Sequence, residues 1–346
     1  MTYRDVLQNL VEKERAKSGA QAILLRVQSG DGRIDFAGSA WAALPGIRFP
    51  IASISKMFTA ALILQLVDDR ALDLDQTAQS VLPGIDLSDL HIAKGVAHGP
   101  ELTIRQLLFQ TSGLADYYEG GIANDLINNR DRGYDLDTVL AMAKARRPFA
   151  APDTGRAHYS DTDFQLLGAV IEAVTGQPFG AVLRERICNP LGLSKTALFD
   201  DEDRDTGDVT LPVHHKALKL HVPKILSSMG PDGGIVSDMG DLMTFLRAHL
   251  SGRLFAPDHL PRLKDFRSMT FPLRYGGGLM RFKLPNWMTL WQGSPELIGH
   301  SVASASFTYH APEHDVFLVG TYNQTDMPKR PFGLMMKVLK ALEQGG

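Results

Sequence analysis

Within FPIASISKMFTAALILQLV, Phe49 to Val67, a serine stands three residues before a lysine: Ser53 and Lys56. A serine hydroxyl is a weak nucleophile until a base takes its proton, and a lysine can be that base once burial or nearby positive charge lowers its pKa. If a helix begins near Ser53, just after Pro50, each residue turns it by about 100°, which sets Ser53 and Lys56 about 60° apart on one face. Ser55, about 200° round from Ser53, points elsewhere. The helix N-terminus also favours negative charge developing at Ser53 or on a bound acyl oxygen. The spacing therefore allows a nucleophile and its base, and equally an ordinary N-cap on a buried helix.

Hydrophobic periodicity outlines the elements that would position this pair. The run from about Ser53 to Asp69 is apolar on nearly every side, the mark of a central buried helix. Ahead of it, Val6, Leu7, Leu10 and Val11 repeat at helical spacing within residues 2–17 and Gly19 marks a stop. AILLRVQ and RIDFAGSAW flank SGDG as a hairpin. From about 75 to 195 the pattern is mostly helical: TIRQLLFQTSG with Thr103 as N-cap and Gly113 as stop, DLDTVLAMAKA, and TDFQLLGAVIEAVTG ending at Gly176. Strand signals return after about 225 in GGIVS, YGGGLMRF, ASASFTYH and VFLVGTYN, and FGLMMKVLKALEQ closes the chain as a helix. The order predicts an α+β fold, with a sheet domain from residues 1–75 plus 220–346, a mostly helical subdomain at 76–219, and the active site between them.

Composition excludes several classes. The chain has 346 residues, 44% hydrophobic and 22% charged, with a net charge of −3 and no basic block, which argues against nucleic-acid binding. The N-terminus is charged and lacks a signal peptide's apolar run, and no apolar stretch reaches the roughly 18 residues of a membrane span. A soluble, cytoplasmic protein is expected. Cys188, the single cysteine, makes no internal disulfide and reads as a small core hydrophobe. DDEDRD, Asp200 to Asp205, reads as a charged surface loop. HAPEHD at 310–315 and His214, His215 and His221 lack the spacing of a zinc motif, so neither metal nor cofactor is expected.

Four further segments, LLFQTSGLADYY (107–118), YSDTDFQLLGAVIEAVTG (159–176), GGIVSDMGDLMTFL (233–246) and GHSVASASF (299–307), together with Ser53-x-x-Lys56, resemble one family over nearly the whole chain and in the right order. It is the serine hydrolases related to class C β-lactamases, D-alanyl-D-alanine carboxypeptidases and family VIII esterases. The resemblance implies a β-lactamase/transpeptidase-like fold with an antiparallel sheet flanked by helices. It also implies that Ser53 is the acylated nucleophile, that Lys56 and Tyr159 form the proton-transfer network, and that His300-Ser301-Val302 takes the place of the Lys-Thr-Gly or His-x-Gly strand. The oxyanion hole would be the backbone N–H groups of Ser53 and Ala303.

Departures from that pattern shape the expected chemistry. Tyr159-Ser160-Asp161 carries Asp where the family usually has Asn; near Lys56 such a carboxylate would keep the lysine charged and leave Tyr159 the better base. Asp161 would also repel acceptor groups of a penicillin side chain. Val302 stands where a glycine lets substrate approach the strand. His300 lacks the permanent charge that binds carboxylates, and a neutral imidazole suits uncharged esters. Gln110 replaces a common histidine in LLFQTSG and reads as scaffold variation. The expected substrates are small carboxylic esters, with a D-amino-acid amidase or peptidase, a weak β-lactamase, an acyltransferase and a non-turnover binding protein as alternatives. GHSVA mimics the Gly-x-Ser-x-Gly elbow of α/β-hydrolases, but after Ser301 the one acid that precedes a histidine is Glu313, adjacent to His314, and neighbours in sequence do not easily form that fold's relay.

Overall fold

The structure is a computed structural model that describes residues 2–40, 46–200, 210–289 and 293–344. Six helices are central to it: α1 (Tyr3–Ser18), α2 (Ser55–Asp68), α3 (Asp161–Thr175), the bent α4 (Pro223–Gly233), α5 (Met239–Leu250) and α6 (Arg330–Gln344). The main sheet comprises β1 (Ile23–Ser29), β2 (Asp35–Ala40), β3 (Arg267–Ser268), β4 (Leu273–Tyr275), β5 (Met280–Phe282), β6 (Leu297–Ser301), β7 (Ser306–Ala311) and β8 (Val316–Thr321). Its order is β3-β4-β5-β6-β7-β8-β1-β2, with every neighbour antiparallel. This is the α+β, antiparallel architecture that the resemblance implies. The hairpin from the N-terminal part of the chain completes a sheet begun by the C-terminal part.

Strand alternation gives the sheet two apolar faces. Leu25, Val27 and Leu318 meet α1 and α6 through Leu7, Val11, Leu334 and Val338, while Leu24 and Val319 belong to the larger core with α2, α3 and α5. Thr2 and Asp5 form a capping box at the start of α1, and Gly19 ends it with φ +72°. Glu14, buried on α1, pairs with Arg330 and Lys337 of α6 and ties the two ends of the chain together. Nearly every side chain of α2 is buried, as its apolar surface requires.

Several boundaries differ from expectation for local reasons. Ser53 does not open the α-helix: Ala52–Ile54 form one 3₁₀ turn, and α2 starts at Ser55. YGGGLMRF is two strands, not one, because Tyr275 and Met280 pair across a glycine turn in which Gly278 has φ +72°. A Cβ on Gly278 would come within 2.6 Å of the Ala60 Cβ on α2, so the glycine also permits the turn's close approach to that helix. GGIVS lies outside the main sheet; Ile235–Ser237 pairs with Phe49–Pro50 and Ala197–Leu198. TIRQLLFQTSG is helical only over Ile104–Leu108, capped by Thr103 as expected, and Gln110 at φ +57° stops it short of Gly113. Trp41, and the DDEDRD segment beyond Asp200, lie outside the described residues. Among the described residues no single helix is long and apolar enough to cross a membrane.

Candidate active site

The turn that carries Ser53 is bent into place by its predecessor. Ala52 has φ +45°, a left-handed conformation that costs a non-glycine residue energy and is kept where the surroundings demand it. Ser53 lines a cavity of about 570 Å³, together with Tyr159, Asp161, Ser301, Val302 and Ala303. The Tyr159 phenol lies near enough for the Ser53 hydroxyl to favour its phenolate form. Ser55 is buried and turned away, its Oγ accepting from the Ile235 N–H at 3.2 Å. The choice of Ser53 over Ser55 by helix geometry thus matches where the two side chains point.

Lys56 sits one turn further on, wholly buried beneath the cavity rather than lining it. Its Nζ forms an ion pair with Asp161, donates to the Asp232 carbonyl oxygen at 2.8 Å, and lies 5.1 Å from the centre of the Tyr159 ring. Burial alone would push this amine's pKa down, but Asp161 and Asp232 outweigh it, and the net position is above the usual lysine value. Lys56 is therefore held as an ammonium ion, the consequence expected if Asp161 lay beside it. Asp161 owes its place to being the first residue of α3, where its N–H donates to Asp116 Oδ1 at 3.2 Å. Gln110 clamps the adjoining residue: its Nε2 donates to the Ser160 carbonyl at 2.9 Å and its Oε1 accepts from the Ser160 N–H. Its role is to lock the Tyr159–Asp161 segment onto the 110–116 loop.

Three more carboxyl groups surround this pair, and the sequence reading passed over them. Asp116, Asp163 and Asp232 are all buried. Asp163 Oδ1 accepts from the Ser112 hydroxyl at 2.6 Å, and Asp232 Oδ2 accepts from Tyr117 Oη at 2.6 Å and Gln165 Nε2 at 3.0 Å. Burial and then the Asp161 charge push Asp116 and Asp232 up to about 8, and burial drives Asp163 well above the carboxylate range. Near neutral pH these three are thus mostly protonated. Their one sequence signal was density: LADYY, YSDTD and GPDGG place an aspartate in each segment that returns to the site. Burial is also the first cause of a Tyr159 pKa well above the usual value, followed by the Asp161 charge.

The sheet side of the cavity is uncharged. His300, expected to meet substrate, lies behind the cavity instead: it is fully buried on β6, its ring 6.3 Å from that of Tyr159 and 6.0 Å from that of Tyr275. Its Nδ1 contacts the Ser301 carbonyl at 3.0 Å, and burial pushes its pKa down to about 3, so the imidazole is neutral as anticipated. Ser301 does line the cavity, but its hydroxyl accepts from Tyr309 Oη at 3.0 Å, and the chain after it turns back into β7 rather than into a helix. A nucleophile elbow needs that strand-to-helix turn. Val302 and Ala303 line the same cavity as Ser53. Leu126, Leu226, Met229, Met269, Leu273 and Met280 supply apolar walls.

The histidines of HAPEHD are engaged elsewhere, His310 with Asp315 and His314 with Glu343, and among the described residues no group of three or more His, Cys, Asp or Glu side chains could hold a metal ion. Cys188 is a buried thiol whose pKa burial pushes up to about 12.

Comparison with known proteins agrees with this geometry. The family model described as Beta-lactamase matches residues 8–342. Penicillin-binding protein 4 of Amycolatopsis lactamdurans is 30% identical over 217 residues, 61% of this chain and 52% of that protein; the match thus spans about half the relative's length. Esterase EstB of Burkholderia gladioli is 29% identical over 61% of this chain and 59% of its own length. The crystal structure of a D-stereospecific amidohydrolase from Streptomyces sp. superposes with a TM-score of 0.78 at 27% identity, covering 98% of both chains.

Proposed function

The chain belongs to the beta-lactamase family of serine hydrolases, and we propose that it works through a covalent acyl-enzyme on Ser53, acting on small carboxylic esters. The observation that carries this reading is that Ser53 and Tyr159 line one cavity, with Lys56 held as a cation below. In the first step Ser53 Oγ bonds to the substrate's carbonyl carbon while its proton passes to the Tyr159 oxygen and the Tyr159 hydroxyl gives its own proton to the leaving alcohol's oxygen, so that Tyr159 is a neutral phenol before and after. The Lys56 ammonium beside the ring eases negative charge that gathers on the phenol oxygen during this relay. The backbone N–H groups of Ser53 and Ala303 receive the carbonyl oxygen as it gains charge. The bond from the carbonyl carbon to the alcohol oxygen breaks as that oxygen takes its proton, and water then releases the acid. Lys56 is an electrostatic support in this scheme, not the base.

Hydrolysis of p-nitrophenyl acetate by wild type and Ser53→Ala tests the reading. A loss on the order of 10³-fold or more is expected, as for removal of a serine nucleophile. Equal rates would remove Ser53 from the reaction. A second reading, an amidase for amino-acid amides, is favoured by Glu119 in the cavity lining, whose carboxylate would attract an ammonium group. A panel pairing p-nitrophenyl esters with D-amino-acid amides separates the two. Benzylpenicillin is expected to turn over more slowly than short esters, because Asp161 repels its side-chain carbonyl and His300 supplies no charge for its carboxylate.

A further inference from the structure

We propose that Asp116 is the general base for deacylation, activating the water that cleaves the Ser53 acyl-enzyme. The inference rests on the Ser53 reading above and concerns its second half. Once Ser53 is acylated, the attacking water needs a base that faces the cavity. Lys56 does not face it, and its amine is committed to Asp161 and the Asp232 carbonyl. Tyr159 holds its proton tightly. Asp161 lines the cavity but is tied to Lys56.

Asp116 differs from each of these in geometry. It lines the same cavity as Ser53, while its Oδ1 is fixed by two backbone N–H groups, those of Tyr118 at 3.0 Å and Asp161 at 3.2 Å. Its Oδ2 takes no hydrogen bond from the protein among the described residues, which leaves one carboxyl oxygen anchored and the other able to meet a water. The groups facing it are Lys56 on α2, Asp161 and Asp163 on α3, and Tyr118 and Tyr159. Burial and the Asp161 charge raise Asp116 to about 8, close to the pH at which a general base works best.

In the step itself the water oxygen bonds to the acyl carbon as one of its protons passes to Asp116 Oδ2. The bond from that carbon to Ser53 Oγ then breaks, and Oγ takes a proton from the Tyr159 hydroxyl. The proton on Asp116 replaces the one lost by Tyr159 through water in the cavity, and the carboxylic acid departs.

Asp116→Asn is the sharp test, because the amide oxygen keeps both backbone hydrogen bonds while losing the basic oxygen. With p-nitrophenyl acetate, the variant should release one equivalent of p-nitrophenolate in a burst and then turn over about 10²-fold more slowly than wild type. Intact mass spectrometry should find the acetyl group accumulated on the protein, and peptide mapping should place it on Ser53. The wild-type deacylation rate should rise with pH through about 8, as the carboxyl loses its proton, and that rise should be missing in the variant. Asp116→Ser, which preserves the turn by a hydroxyl in place of the carboxylate, should behave likewise, with thermal melts verifying both folds. A steady-state rate within threefold of wild type, or burst and steady-state phases falling together with no adduct accumulating, would overturn the proposal. If wild type itself acylates without Ser53, the failure lies with the nucleophile assignment, and Asp116 loses its role with it.

Discussion

The two walls beside Ser53 differ in chemistry. The helical wall, built by α2, the 112–118 loop, the start of α3 and the bend of α4, packs Lys56 among Asp116, Asp161, Asp163 and Asp232. The sheet wall, β6 and the turn after it, presents Ser301, Val302 and Ala303 with a neutral His300 behind them. Under the proposed mechanism proton handling belongs to the helical wall, and shape and backbone hydrogen bonding to the sheet wall. Burying five ionisable groups in one wall is tolerable because only the Lys56–Asp161 pair carries full charge near neutrality; the other carboxyls hold their protons. Isolated buried charge would otherwise cost several kcal/mol per ion.

This contrast can be broken from the helical side first. Lys56→Ala should lower the esterase rate on the order of 10²-fold or more by removing the cation beneath Tyr159. It should also destabilise the fold by about 3–5 kcal/mol, because it strands Asp161 in the interior, and urea unfolding measures that loss. A tenfold or smaller effect on rate would move the proton chemistry elsewhere. Asp161→Asn is the milder change and acts on pH dependence. With the carboxylate gone, burial should win over the remaining attractions and the Lys56 pKa should fall below its wild-type position. A lysine titrating at lower pH becomes usable as a base, and loss of the Asp161 charge also lowers Asp116, so the wild-type rise through about 8 should move to lower pH. An unchanged profile would mean that Asp161 does not set the charge of Lys56. The smallest effect belongs to the sheet wall. His300→Gln should change the rate less than about tenfold, since no direct proton transfer is asked of it. With a pKa pushed down to about 3, the imidazole stays neutral above that value, so His300 should add no inflection between pH 5 and 8. An inflection there that vanishes in His300→Gln would give the sheet wall a proton-transfer role.

How much of this was readable from the residues follows from the range of the interactions. The α+β layout, α1, α2, α3, the first hairpin and the Thr103 cap were legible because each is encoded by local periodicity or capping, while the antiparallel sheet was implied by the family resemblance. YGGGLMRF was read as one strand because its glycines signal a turn only when the approach of Gly278 to α2 is known. In the site, the placement of Lys56 one turn past Ser53 is local, and so was visible. The Asp161–Lys56 contact spans 105 residues and was reachable only as a conditional consequence of the motif order. Asp116 and Asp232 were missed because an aspartate in a loop ordinarily reads as exposed, and nothing in LADYY or GPDGG reveals burial against α2. His300 was assigned to substrate contact because position within a motif does not say which side of a strand faces the cavity.

The central claim is that Ser53 carries the acyl group. Treating the folded protein with a fluorophosphonate probe and mapping the adduct by peptide mass spectrometry tests it most directly. The account predicts a single adduct on Ser53, absent in Ser53→Ala; no labelling of the folded protein, or an adduct on Ser55 or Ser301 that survives Ser53→Ala, would contradict it.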